Sequence, residues 1–560
     1  MNIKNTKSLV NLFFNKFEEL NTSKLFLQSL KPKFNNQYSW GEVREKIFQL
    51  SNKIKPIIKE GDRCLLISEN RPEWLIADIA IMNAGGISVP VFTTYSESDY
   101  EYIIDDCKPT LIIVSNETQF AKIKNYINSE IKLIISFEKL EHTSVLIEDI
   151  YKEPLLNKIK NNNLNRKSPA CIIYTSGTSG NPKGVVLSHG GILSNCEGAL
   201  EILNPLISKK EIIFLTWLPL SHSYEHTVQF IQILLGAKIF YAESLEKLIL
   251  NMSESKPTIM TAVPRFYQNL FNKINLNFNK QKGIRKILIN KTLELGKKTL
   301  NKKKLDFKEK FINILCEILI RKKIKQQFGG NLKAFISGGG ALDQNIGEFL
   351  NAIGLPTLQG YGLTEASPVV SCNLPGQIKV DTVGPAFRTN EVKLAEDGEI
   401  LIKGENIMLG YWNKKKETEE VIRNNWLYTG DIGEIDNDGF LKITDRKKDL
   451  IVNFGGDNIS PVKIENLLCL DENIKQSFVY GDQKNYLVAI LVVEKKFTTQ
   501  DLIATYVTNL NKKLSSIEKI KKYFITDIEF TIENRMLTPT LKIKRKEITK
   551  NYIKEIENLY

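Results

Sequence analysis

Residues 170–189, ACIIYTSGTSGNPKGVVLSH, hold the densest group of phosphate-binding residue types in the chain. An apolar strand over 170–174 runs into a stretch rich in Thr, Ser and Gly. Lys183 follows, and a second β-like run covers 184–187. Gly177, Gly180 and Gly184 let backbone N–H groups approach phosphate oxygens closely. Thr175, Ser176, Thr178 and Ser179 add hydroxyl donors, and Lys183 adds a compact point charge. The pattern is not a P-loop, in which the lysine is followed by Ser or Thr and opens a helix; here Pro182 precedes Lys183 and Gly184 follows it. A Ser/Gly-rich surface loop is the alternative, and the crowding of hydroxyls and glycines beside one lysine speaks against it.

Other segments carry weaker signals. In GYGLTEASP (360–368), Thr364 and Glu365 also fit a helix start with an acidic first turn. Asp431 in YTGDIG fits a turn aspartate, or a carboxylate that accepts from two hydroxyls at once. Residues 222–226, HSYEH, satisfy an inverted zinc-peptidase pattern with Glu225 as base. Pro219 lies just upstream, however, and Ser221 reads as the helix N-cap, which would leave His222 on a frayed first turn. With four histidines in the chain and no clear third ligand, zinc is disfavoured.

These residues need a large scaffold. A single core stops growing at ~250–300 residues, so a chain of 560 residues holds at least two domains. At 42% hydrophobic and 25% charged it has an ordinary globular composition. No apolar run reaches the ~18–20 residues of a spanning helix. The N-terminus, MNIKNTKSLVNLFFNKF, lacks a small-residue cleavage site and reads as carrying no signal peptide. Seven scattered cysteines without a CxxC pair read as reduced thiols in a cytoplasmic protein.

Residues 63–92 read as strand, helix, strand, with Pro72 near the helix start. Short buried-strand patterns recur at 111–114 and 133–136. This alternation predicts an α/β architecture with largely parallel sheets. From about residue 380 short strands alternate with Gly and Asp-Gly turns, which predicts hairpins and a small barrel-like unit. The last ~110 residues predict a small α+β domain, with a boundary near 444–448.

In sum these motifs resemble the adenylate-forming superfamily of acyl-CoA synthetases, adenylation domains and luciferases. Within it the chain is most similar to the long-chain fatty-acyl-CoA synthetases, from about residue 8 to about residue 548. The resemblance implies a large N-terminal α/β domain (1–444) of stacked mixed β-sheets with packed helices and a small β-barrel-like subdomain. A small mobile α+β C-terminal domain (445–560) follows, hinged at Asp445. It implies ATP, Mg²⁺ and CoA. A fatty acid is joined to AMP and then passed to the CoA thiol. An acyl-acyl carrier protein ligase with the same first half is the alternative, and a non-catalytic lipid- or nucleotide-binding homologue is a third reading.

Residue by residue, the hydroxyl-rich loop (Thr175 to Gly180, with Lys183) holds phosphates, and the turn at Gly339, Gly340 and Ala341 lines the nucleotide and acyl group. Gly360 and Gly362 flank Tyr361, which stacks on adenine; Thr364 contacts the α-phosphate and Glu365 binds Mg²⁺. Asp431 takes the ribose hydroxyls, with Arg446 beside it. His222 is a positioning and gating group between acyl and thiol sites, and Gly455 and Gly456 face the thiol path once the small domain has turned. Lys542 in LTPTLKIKRKEI matches the catalytic lysine. Most of the superfamily has glycine before it, where this chain has Leu541, so Lys544 competes for the role.

The net charge of +13 sits in one block. Residues 272–325 hold 17 Lys/Arg and 4 Asp/Glu, and the remainder balances 60 against 60, which argues against nucleic-acid binding by the whole molecule. Within the block Phe307, Phe311, Ile314, Leu315 and Ile318 recur at helical spacing among lysines. That fits a basic amphipathic helix on an anionic membrane, a dock for an acidic carrier protein, or a merely solvated helix.

Overall fold

The computed structural model describes residues 3–34, 36–141, 144–155, 157–161, 163–175, 182–207, 211–471, 473–493, 499–538 and 541–560. Two eight-stranded sheets dominate the first two thirds. In one, the parallel strands Ile87–Val91, Arg63–Ile67, Leu111–Val114 and Leu133–Ser136 lie side by side. Pro169–Thr175 joins them in parallel, then Lys183–Ser188 and Gly410–Tyr411 in antiparallel. In the other, Ile213–Thr216, Ile259–Ala262, Ala334–Ser337 and Thr357–Gly362 run parallel beside Lys238–Tyr241 and Leu25–Ser29. Parallel neighbours need crossover connections, and the helices that make them fill the space between the sheets.

One apolar cluster spans both sheets through those helices. Every residue of the mostly apolar helix Pro72–Ala84 is buried, Glu73, Asp78 and Asn83 included. Its proline is at the first turn and Gly85, at φ 98°, ends it in the left-handed region that glycine enters freely. The helix Ser223–Leu235 is buried almost as fully. Asp78 of the first helix and His226 of the second meet at 2.8 Å with no solvent exposure. Burial alone would strip the imidazole of its proton, but the Asp78 carboxylate, with Cys171, outweighs it and raises His226 to about 10.

The small unit after residue 380 is an open antiparallel sheet of five strands, with Glu399–Gly404 and Trp426–Ile435 at its centre. Its last strand, Leu441–Arg446, pairs Ile432 with Asp445 and Asp431 with Arg446. The chain then enters a three-stranded sheet, Ile474–Tyr480, Leu487–Val493 and Ile520–Thr526, packed on helices. All seven cysteines are free and buried. Among the described residues no helix is long and apolar enough to cross a membrane.

The basic block is helical, and the amphipathic helix read within it is one arm of a longer arrangement. Gly283–Leu300 and Phe307–Cys316 form a hairpin, and a π-helical turn, Glu317–Arg321, interrupts the second arm before Lys322–Gln327.

Breaking a buried ion pair by removing one partner costs about 3–5 kcal/mol. Asp78→Asn should therefore lower the urea midpoint markedly and let His226 lose its proton. His226 has a raised pKa, so its contribution to stability is complete below about pH 6.5 and fades as pH rises toward 10. An unchanged midpoint at pH 7 would contradict this reading of the pair.

Candidate active site

The strands on either side of the hydroxyl-rich segment pair with each other, as the two β-like runs predict. Pro169–Thr175 and Lys183–Ser188 are antiparallel, with Tyr174 opposite Gly184 and Thr175 opposite Lys183. A Cβ on Gly184 would lie 2.9 Å from Ile172 and 3.1 Å from the Tyr174 ring, so glycine is needed for the strands to close. Ser176, Gly177, Thr178, Ser179 and Gly180 lie outside the described residues; Thr175 and Lys183 mark where they leave and return. The Lys183 ammonium stands 4.9 Å from the centre of the Tyr411 ring.

Tyr411 also donates its hydroxyl to Glu365 Oε1 at 2.8 Å. Glu365 sits in the 3₁₀ turn Thr364–Ala366, where the Thr364 hydroxyl lies 2.9 Å from that of Ser223. The neighbouring strand reaches close: a Cβ on Gly362 would come within 2.0 Å of the Pro368 carbonyl oxygen, and one on Gly360 within 3.1 Å of that of Ser371. Gly362 is thus required by the chain's own packing, and a side chain at Gly360 would press on the neighbouring backbone.

Tyr361 donates its hydroxyl to Asp431 Oδ2 at 2.7 Å, and Arg446 Nε lies 3.3 Å from Asp431 Oδ1. The strand register that puts Asp431 opposite Arg446 creates this pair. Burial pushes the Asp431 carboxyl above its ordinary value, against the pull of Arg446 and the Tyr361 hydroxyl.

Lys542 arrives from the small domain on a tight turn. Thr538 N–H donates to the Lys542 carbonyl and Lys542 N–H to the Thr538 hydroxyl, at 2.8 and 3.0 Å. Leu541 has φ 63°, the left-handed region where a side chain costs roughly 1–2 kcal/mol. That conformation is why glycine suits this position. Leu541 instead packs its side chain against the cluster around Phe478 and Val488. Desolvation and Arg446 lower the pKa of Lys542, while Asp431 and Glu365 oppose them. Lys542 as a whole keeps solvent exposure, and it lines the cleft between the large and small domains. Lys544 is instead the residue before the helix Arg545–Asn551, its N–H donating to the Met536 carbonyl.

His222, not Ser221, caps the helix Ser223–Leu235, its Nδ1 accepting the Tyr224 N–H at 3.2 Å. That correction also disposes of the zinc pattern. Both ring nitrogens of His226 are engaged, by Asp78 and by Cys171 at 3.7 Å, and Glu225 is buried against the Thr261 hydroxyl at 2.8 Å. Among the described residues no cluster of three or more His, Cys, Asp or Glu is placed to hold a metal ion. Desolvation, then the Lys542 charge, lowers His222 to about 3, so its imidazole is neutral.

A cleft of about 2450 Å³ between the large and small domains joins these groups: Thr175, Lys183, His222, Thr364, Glu365, Tyr361, Asp431, Arg446 and Lys542 all line it, as do Gly339, Gly340 and Ala341. Gly455 and Gly456 do not line it. They form an exposed turn closed by Asn453 and Asp457, whose side chains bond at 2.9 Å.

A family model described as AMP-binding enzyme matches residues 21–412, and one described as AMP-binding enzyme C-terminal domain matches 448–560. The chain belongs to the AMP-binding enzyme family. It is 28% identical to a Mycobacterium tuberculosis protein named long-chain-fatty-acid–CoA ligase FadD15, covering 90% of this chain and 88% of that one. It is 28% identical to fatty acyl-CoA synthetase A of Dictyostelium discoideum, covering 93% and 86%. In fold it is similar to the anthranilate CoA ligase AuaEII in complex with anthranoyl-AMP, with TM-score 0.79 and 19% identity over all of both chains. ATP-bound MatB from Rhodopseudomonas palustris superposes with TM-score 0.75 and 21% identity, covering 97% and 99%.

Tyr411 and Ser223 are among the members of this AMP-binding enzyme's cleft that sequence reasoning missed. Tyr411 is 46 positions from the carboxylate it contacts, and only the pairing of Gly410–Tyr411 with Lys183–Ser188 brings it there. No local pattern announces such a contact.

The neutral state of His222 is directly measurable. Its NMR chemical shifts should stay constant from pH 8 to pH 5, with the proton on Nε2, and Lys542→Met should raise its pKa. Titration near pH 6.5 in the unaltered protein would place His222 outside the crowded cleft.

Proposed function

We propose that this enzyme activates a long-chain fatty acid with ATP as an acyl-adenylate and transfers the acyl group to CoA, giving acyl-CoA, AMP and pyrophosphate. The observation that carries the reading is one cleft with two linings. Lys183, Glu365, Asp431, Arg446 and Lys542 supply charge, and Ile202, Leu203, Phe214, Val228, Ile231 and Ile259 supply an apolar wall. The names of the relatives in Mycobacterium and Dictyostelium agree with it.

A fatty carboxylate is ionised at neutral pH, its reference pKa being near ~4–5, so attack on the α-phosphorus needs no general base. The barrier is the approach of an anion to a polyanion. Lys542 and Lys183 neutralise charge as it builds, and hydroxyls and amides of the 175–183 segment hold the phosphates. Thr364 meets the α-phosphate. Tyr361 packs on the adenine and Asp431, fixed by Arg446, accepts from the ribose hydroxyls. Glu365 would hold Mg²⁺. The donor set fits, since one carboxylate facing a phosphate site is what this ion takes, and its chemistry when bound is to neutralise phosphate oxygens. Neutral His222 positions the acyl group without adding charge.

The second half requires a different pose. The small domain rotates about Asp445, withdrawing Lys542 and bringing Gly455 and Gly456 to the thiol path. The hydrogen bond from the Gln268 side chain to the Cys469 carbonyl, 2.7 Å across the domain boundary, is among the contacts this motion breaks. The reduced, buried cysteines suit a cytoplasmic enzyme.

Lys542→Ala should abolish fatty-acid-dependent ATP–pyrophosphate exchange while still passing a supplied acyl-adenylate to CoA. Loss of both halves would move the role elsewhere. Ala199, on the cleft wall, offers a test of the acyl site. Ala199→Phe should shift the ratio of kcat/KM for short over long acids by about tenfold or more, and an equal change for every chain length would remove that wall from the acyl site.

A further inference from the structure

Among the described residues, nineteen large apolar side chains are exposed, and eight of them fall within residues 276–319. Phe307 is 88% exposed, Phe311 63%, Ile314 58% and Ile318 54%, all on the second arm of the helical hairpin. Ile284 and Ile287 of the first arm are 83% and 64% exposed. The two arms are held together from below. Cys316 Sγ contacts the Leu288 carbonyl at 3.8 Å, Arg321 donates to the Thr292 carbonyl at 3.1 Å, and Lys298 pairs with Glu309. Those bonds put Ile284 and Ile287 at the same end of the hairpin as the π-helical turn. An aromatic and aliphatic row left in water on a braced helix is not the usual surface of a soluble protein.

The charges around this row are one-sided. Lys302, Lys303, Lys304, Lys308, Lys310, Lys322 and Lys323 are exposed, and none of them is in an ion pair among the described residues. Over 297–325 the chain has eleven basic and three acidic residues, whereas outside 272–325 it is neutral. The hairpin rests on the helix Gln344–Ala352, with Lys297 bonded to Glu348 at 3.0 Å, and follows the helix Pro264–Asn279; both of those helices begin at the cleft wall. The surface is therefore anchored to the scaffold of the active site.

From the apolar row, the unpaired lysines around it and the neutral remainder, we propose that the hairpin 283–327 docks this enzyme onto an anionic lipid bilayer. Phe307, Phe311 and Ile314 enter the boundary of head groups and acyl chains, and the lysines face acidic head groups. Apolar contact and positive charge are both needed, since either alone gives weak, reversible attachment. The docking is independent of the reaction proposed for the cleft, so it is testable on the intact protein without turnover.

The test is sedimentation of the full chain with phosphatidylcholine vesicles, with and without about 30 mol % phosphatidylglycerol. The protein should pellet with the anionic vesicles, stay soluble with neutral ones, and be released by ~0.5 M salt. Phe307→Ser, Phe311→Ser and Ile314→Ser combined should weaken binding by about tenfold or more. Lys302→Gln, Lys303→Gln and Lys304→Gln combined should weaken it by about fivefold per lysine. All six positions are exposed, so both variants should keep the wild-type melting curve and their rates on a water-soluble short acid. No binding of wild type to anionic vesicles, equal binding by the variants, or equal affinity for neutral vesicles would overturn the proposal. So would capture of the hairpin by an acidic acyl carrier protein with no affinity for lipid.

Discussion

The arrangement depends on delivering one ammonium group, that of Lys542, to a cleft built by another domain. Burial and the Arg446 guanidinium work against its charge, and the Asp431 and Glu365 carboxylates work for it. The neighbours feel it in turn, for Lys542 helps keep His222 neutral and draws Asp431 down against the effect of burial. A group so placed is sensitive to small displacements, because electrostatic interactions strengthen as water is excluded. The large domain can be rigid. For the two-step reaction proposed here, the element carrying Lys542 has to be firmly shaped and able to withdraw.

Its turn meets both demands. The bonds between Thr538 and Lys542 close the loop, and Leu541 takes a left-handed conformation to aim the side chain. Glycine would adopt that shape without strain. Leucine accepts the strain and offsets it by packing beside Phe478 and Val488, which ties the tip of the turn to the core of the small domain. Among the described residues, the Gln268 side chain donates across the boundary between the domains to the Cys469 carbonyl.

Much of the scaffold was legible because it is written locally. The strands Leu111–Val114 and Leu133–Ser136 and the helix Pro72–Ala84 have apolar patterns and end signals of their own. Order within the sheets was not legible, since Leu25–Ser29 pairs with Lys238–Tyr241 and Lys183–Ser188 with Gly410–Tyr411 across some two hundred residues. The same distinction governs the cleft. Thr175, Lys183, Thr364, Glu365, Asp431 and Lys542 belong to compact motifs, and the structure gathers them in one cavity. Tyr411 has no motif and was missed. The cap of the helix Ser223–Leu235 was misassigned by one residue, because a histidine nitrogen took the part expected of the serine hydroxyl. The glycines of 360–362 were read for a ligand, and the packing against Pro368 and Ser371 gives them a reason within the chain itself.

In the reaction proposed for this cleft, a carboxylate oxygen of the fatty acid becomes bonded to the α-phosphorus. The direct measurement is to supply the purified enzyme with ATP, Mg²⁺, CoA and a long-chain fatty acid labelled with oxygen-18 in its carboxylate, and to weigh the AMP released. An acyl-adenylate path leaves one labelled oxygen in AMP for each acyl group transferred. Unlabelled AMP, or release of ADP and phosphate in its place, would contradict the account.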